Sequence, residues 1–128
     1  MPRFTFKKNE RLSSLKAIEQ LYRQGTAFYN PLFKCVFLFT ENALPAPCQV
    51  VFSVPKRNFK RAVDRNLLKR RMREAYRHNK ELLYQSLIEK HKKMYLLVTY
   101  TSREILPYED ITASLVKAIN SLARKAGN

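Results

Sequence analysis

A row of cationic side chains is the strongest chemical pattern in this 128-residue chain. Arg61, Arg65, Lys69, Arg73 and Arg77 recur every four residues, so an α-helix carries them along one side. Asn66 and Arg70 form a second line beside them. The enclosing segment, residues 56–80, reads KRNFKRAVDRNLLKRRMREAYRHNK. Eleven of its residues are Lys or Arg and two are acidic, which gives it +9 of the chain's net +15. Like charges at this spacing each oppose a helix by about 0.2–0.5 kcal/mol, so four successive pairs cost about 1–2 kcal/mol. A polyanion removes that penalty. Guanidiniums one turn apart, at ~6 Å, meet successive phosphates, and the planar Arg fork makes bidentate contacts that Lys does not. Lys56, Arg57 and Lys60 extend the cationic set ahead of the helix. Asn66 adds an amide suited to sugar hydroxyls, to base edges or to orienting a neighbouring Arg.

Other chemistries have less to stand on. Metal-dependent hydrolysis wants clustered carboxylates, and the acidic residues here are mostly scattered. The pair Glu109-Asp110 falls where a last helix should begin, a position that favours carboxylates electrostatically. No catalytic residue is therefore expected in the protein, and the protein alone is not expected to cleave RNA at a useful rate. Cys35 and Cys48 are too few for a disulfide framework or a tetrahedral zinc site and read as small core residues. His78 and His91 lack ligand spacing and read as solvated helix residues, so no metal site is expected. The net charge of +15 and a sequence pI near 10.2 point to nucleic acid or an anionic membrane as partner. Membrane-surface binding would need an exposed apolar face opposite the basic one, and the core needs that face. The start, MPRFTFKKNERL, has no apolar signal region and no run of 18 apolar residues follows, which together suggest a cytoplasmic protein.

The elements that position the row follow from periodicity. Residues 1–12 form a basic, irregular lead. Ser13 or Ser14 is placed to cap a first helix carrying Leu15, Ile18, Leu21 and Tyr22, which Gly25 stops in a left-handed conformation. Phe33–Phe39 and Gln49–Val54 read as strands joined as an antiparallel hairpin through a longer loop; a weaker strand signal covers Ala27–Tyr29. A single long helix is expected from about Ala62 to about Glu89, then a buried strand at Met94–Thr101. Pro107 opens a last helix striped by Ile111, Leu115, Ala118, Ile119 and Leu122, and Gly127 ends it. The expected architecture is a single α+β domain over residues 1–128. It is a two-layer α/β sandwich with about four mainly antiparallel strands and three helices, ordered α-β-β-β-α-β-α.

The segment KRAVDRNLLKRRMREAY resembles the RNR signature of the bacterial ribonuclease P protein family. Ala62-Val63 enter it, and Arg65-Asn66, Lys69-Arg70 and Arg73-Glu74 follow. FSVPKR, Phe52 to Arg57, is similar to the strand that leads into that signature. The helix ending at Tyr22 and Gly25 and the aromatic strand from Phe33 match the family's order. The resemblance implies a fold related to a ribosomal-protein domain, with a left-handed crossover around the RNR helix. It also implies a protein that binds ribonuclease P RNA through the RNR region, as one protein per RNA. A cleft between the sheet and the first helix would take the 5′ leader of precursor tRNA. The RNA, with Mg²⁺ that it mainly holds itself, removes the leader. The chain departs from the family at Asn58-Phe59-Lys60-Arg61, where many members have a glycine and about one residue less.

Single-stranded nucleic acid is held by charged grooves with aromatic platforms. Tyr22 on the first helix, together with Phe33 and Phe37 on the following strand, are the candidate platforms of such a cleft, with Arg11 and Lys16 at its rim. Replacing Arg65 and Arg73 by Ala is expected to weaken RNA binding while leaving stability unchanged or slightly raised.

Overall fold

Period-two alternation builds a four-stranded sheet, and period-3.6 stripes lay helices on it. The computed structural model describes residues 6–127; the first five residues of the basic lead and Asn128 lie outside them. Strands β1 (Thr26–Tyr29), β2 (Phe33–Thr40), β3 (Cys48–Ser53) and β4 (Lys93–Tyr100) lie in the order β1-β2-β4-β3. The helices are α1 (Leu15–Gln24), α2 (Ala62–Asn79), α3 (Glu81–Glu89) and α4 (Tyr108–Gly127), preceded by a 3₁₀ turn at Lys8–Glu10. Among the described residues, no helix is long and apolar enough to cross a membrane.

The strand order corrects the expected hairpin. β4 lies between β2 and β3, antiparallel to the first and parallel to the second. Its residues Met94 to Val98 are all buried. A strand that is apolar on both faces belongs in the middle of a sheet, covered on both sides. β3 is left at the edge, where the N-terminal lead covers it: the Leu12 N–H donates to the Val50 carbonyl at 2.9 Å, and Gln49 Nε2 donates to the Asn9 carbonyl at 3.0 Å.

Helices α2, α3 and α4 cover one face of the sheet. Phe33, Cys35 and Phe37 of β2, Val50 and Phe52 of β3, and Leu96 and Val98 of β4 meet Leu68, Met72, Leu83, Leu87, Leu115 and Leu122 there. α1 lies on the other face, where Ala17 and Leu21 pack on Val36, Tyr95 and Leu97. Ser14 is its cap, accepting from the Ala17 N–H at 3.2 Å.

Two local expectations change. The long helix divides at Lys80, so the described residues form four α-helices rather than three. Asn79 Nδ2 donates to the Ala75 carbonyl at 2.8 Å, and the Lys80 side chain turns into the protein to meet Glu10. A side-chain amide on a helical carbonyl competes with the backbone ladder at that point. Gly25 ends α1 in an extended conformation, φ −71°, not a left-handed one. Its lack of a side chain matters for approach: a Cβ there would stand 2.6 Å from Val36 Cγ1 and 2.5 Å from the Leu21 carbonyl oxygen.

Candidate nucleic-acid interface

α2 forms because Leu68, Met72, Ala75 and Tyr76 give it one apolar stripe, all fully buried. That burial outweighs the repulsion within the basic row. Four residues overshoot one helical turn by about 40°, so the row winds around the cylinder. Arg65 starts on the flank, half-buried, while Asn66 and Arg70 beside it are exposed. Arg61 precedes the first turn as its N-cap and is 77% exposed, 4.0 Å from Asp64. Lys56, Arg57 and Lys60 are exposed in the loop between β3 and α2.

The members of the row differ in what they already touch. Arg77 pairs with Glu74 through Nε and Nη2, both at 2.9 Å. That pairing holds the Glu74 carboxyl below its ordinary range. Arg65 Nη1 donates to the backbone carbonyls of Phe59 at 2.8 Å and Lys60 at 2.9 Å. Its replacement is therefore not neutral for local structure, contrary to the expectation from spacing. Arg71, outside the row, donates to the Leu106 carbonyl at 2.6 Å and ties α2 to the loop before α4.

Lys69 and Arg73 line a groove of about 320 Å³ beside Phe6, Arg11, Leu12 and Phe52. Partial burial lowers the Arg73 pKa, and the like charges of Arg11 and Arg70 lower it further. No carboxylate pairs with Arg73, Lys69 or Arg70 among the described residues. This groove is a cationic depression of the kind that takes a phosphate backbone. Arg11, expected at the rim of the α1 cleft, belongs here instead: the lead runs along β3 and sets its guanidinium 5.5 Å above the Phe6 ring.

A second depression, of about 500 Å³, opens on the α1 face of the sheet. Tyr22 and Tyr29, 71% and 69% exposed, stand at it with Lys34, Val36, Leu97 and Thr99. Lys34 Nζ lies 5.7 Å from the Tyr29 ring centre. Arg57 and Asn58, from the β3–α2 loop, close one side. Exposed rings beside ammonium and guanidinium groups match what single-stranded nucleic acid needs.

Tyr22, named from the sequence, stands on α1 at this depression. Phe33 and Phe37 do not: they lie on the opposite face of β2, 0% and 7% exposed, packed under the helices. Lys16 points to the outer side of α1, beside Glu19, Gln20 and Arg23. Tyr29 and Lys34, which the sequence did not single out, line the depression as well. The alternation of β2 sets Lys34 and Val36 on the face opposite Phe33, Cys35 and Phe37, and Tyr29 of β1 is paired with Lys34 across the sheet. Among the described residues no three His, Cys, Asp or Glu side chains gather in a way that would hold a metal ion.

Comparison with known proteins agrees with this geometry. The profile of the family described as Ribonuclease P matches residues 6–123. The ribonuclease P protein component of Porphyromonas gingivalis strain W83 is 34% identical over 127 residues, covering 99% of this chain and 90% of that relative. The relative from Chlorobaculum tepidum is 38% identical over 74 residues, which is 56% of this chain and 48% of that protein. The Staphylococcus aureus RNase P protein superposes with a TM-score of 0.71 at 20% identity, over 93% of this chain and 98% of that one. The Thermotoga maritima RNase P protein gives 0.70 at 19% identity, over 88% and 96%. A basic helix on a four-stranded sheet with this strand order, a matching profile over nearly the whole chain and a full-length relative lead to one conclusion: the chain belongs to the ribonuclease P protein family.

Proposed function

We propose that this chain is the protein subunit of ribonuclease P and assists RNA-catalysed removal of the 5′ leader from precursor tRNA. The exposed cationic face of α2, with Lys69, Arg70 and Arg73 at its centre and Arg11 across the groove, binds the catalytic RNA. The cleft of Tyr22, Tyr29, Lys34 and Arg57 takes the single-stranded leader. One protein serves one RNA, in the cytoplasm.

The observation that carries this reading is the pairing of two distinct basic surfaces on one small domain. One is a helical row spaced for a folded backbone; the other is a cleft with exposed rings. A ribosomal-type RNA-binding protein without a processing role accounts for the first but gives no reason for the second. The protein's part in the reaction is to bind, orient and screen charge. Among the described residues the carboxylates gather in no cage for Mg²⁺, and the ions that activate water and stabilise the leaving oxygen would be held mainly by the RNA. No step is assigned to a side chain of this chain.

The test is reconstitution. The protein is mixed with ribonuclease P RNA and precursor tRNA at low Mg²⁺, and release of the leader is timed. Faster cleavage than by RNA alone supports the proposal. No acceleration, with RNA binding intact, leaves the ribosomal-type alternative standing. Cleavage by the RNA-free protein overturns the assignment of catalysis to RNA.

A further inference from the structure

We propose that Arg65 is a positioning residue for the leader cleft rather than a contact to the catalytic RNA. Its guanidinium holds the β3–α2 loop in the shape that presents Arg57 and Asn58 to the cleft. This rests on the cleft being the single-strand site.

Three observations carry it. First, a guanidinium in the opening turn of α2 sits at the positive end of the helix dipole, where a cation is disfavoured. It turns back over the loop, and Nη1 meets the Phe59 and Lys60 carbonyls at 2.8 and 2.9 Å. Those charge-assisted bonds offset the unfavourable position.

Second, the loop has little else to shape it. Arg61 at the N-cap makes no side-chain cap bond. The loop's fixed points are the Pro55 carbonyl, which accepts from the Asn58 and Phe59 N–H groups at 3.2 and 3.3 Å, and the Phe59 ring, buried 6.0 Å from that of Tyr100. Arg65 clamps the peptide planes immediately after that ring.

Third, the residues just before it, Arg57 and Asn58, form one side of the cleft. A single loop therefore has one end on α2 and its middle in the cleft. Loss of the clamp frees the loop from the helix and withdraws Arg57 from the leader without touching any residue that contacts RNA.

The test is a double-mutant cycle in the reconstituted holoenzyme. Its readout is the leader-dependent gain, the ratio of the Kd for leaderless tRNA to that for leader-bearing precursor tRNA. R65M keeps the aliphatic stem and removes only the donors. R57A and R65M are each expected to reduce the gain about tenfold, the size of one charge-assisted contact. The double variant should lose no more than the stronger single one. R70A should weaken binding of the catalytic RNA and leave the gain unchanged. R65M should leave the salt slope of catalytic-RNA binding as in the parent, whereas a lost phosphate contact lowers it by about one. Amide exchange at residues 58–61 should accelerate in R65M. If R65M does not fold, R65Q, whose amide is too short to span to the loop, repeats the cycle. An unchanged gain in R57A overturns the cleft reading itself. A reduced gain in R57A with no loss in R65M, or with losses that add in full, overturns the positioning role alone.

Discussion

Lys80 and Glu10, 70 residues apart in the chain, form a buried ion pair at the junction of α2 and α3. The Lys80 ammonium also lies 5.1 Å from the Tyr84 ring centre. The pair ties the N-terminal lead, which carries Arg11 into the basic groove, to the point where the basic helix ends. Removing one partner leaves a buried charge without its counter-ion, which costs about 3–5 kcal/mol, whereas removing both together is far less damaging. K80M and E10Q should each lower the unfolding free energy by about that amount. The K80M/E10Q double variant should be more stable than either single variant in urea titrations.

Phe33 and Tyr22 were both named as cleft aromatics, and their environments separate them. Phe33 is fully buried and Tyr22 is 71% exposed. F33A should cost about 3–5 kcal/mol of stability. Y22A should leave thermal unfolding within about 0.5 kcal/mol of the parent and weaken leader-bearing substrate by about 1–3 kcal/mol. Equal melting temperatures for the two variants would place Phe33 wrongly in the core.

Arg73 and Arg77 make a second contrast. Arg73 faces Arg11 and Arg70 with no carboxylate partner among the described residues, and Arg77 holds Glu74. R73A should lower the slope of log K against log salt for the catalytic RNA by about one. Its stability should equal or slightly exceed the parent's, since a like-charge repulsion is gone. R77A should change the slope less, because its guanidinium is already partly neutralised. Filter-binding titrations at several salt concentrations measure both.

Gly25 tests packing rather than backbone freedom. G25A keeps an allowed φ but sets a methyl group against Val36 and the Leu21 carbonyl. Relief requires α1 to shift on the sheet, at about 1–3 kcal/mol. Chemical denaturation reads the loss. Because Tyr22 rides on α1, the leader-dependent gain should fall with it.

Alkaline pH should unfold the protein through its buried acids. Burial pushes the Cys35 and Cys48 thiols from 9.0 up to about 12 and raises the Tyr76 and Tyr84 hydroxyls as well. A folded-state pKa above the unfolded one means the folded chain keeps protons that the unfolded chain has lost. The stability the thiols support declines from about pH 9 towards pH 12, by up to about 1.4 kcal/mol per pH unit for each, and the tyrosines add their own decline above about pH 10. Unfolding free energies measured from pH 8 to 11 should stay nearly level to about pH 9 and then fall, more steeply above about pH 10, and thiol alkylation of the native protein at pH 8 should be slow.

Local chemistry was legible in the sequence alone. The density and spacing of Lys and Arg at residues 56–80, a serine cap at Ser13 or Ser14, the stripe of α4 and the alternation of β2 are all properties of near neighbours. The RNR-like signature resides in the same short stretch. These needed only the periods 3.6 and 2.0 and the charges of the side chains.

Tertiary structure decided what depends on residues far apart. β4 separates β2 from β3 because only a central place covers both of its apolar faces. The long helix divides at Lys80, whose ammonium meets Glu10 across the fold. Alternation showed that Phe33 and Phe37 share a face, yet it carried no information on which face α1 would cover. Spacing aligned Arg65 with Arg73, and only folding brought the Phe59 and Lys60 carbonyls to the first and Arg11 to the second. A periodic pattern specifies direction relative to an element's own axis. What stands in that direction is set by long-range packing.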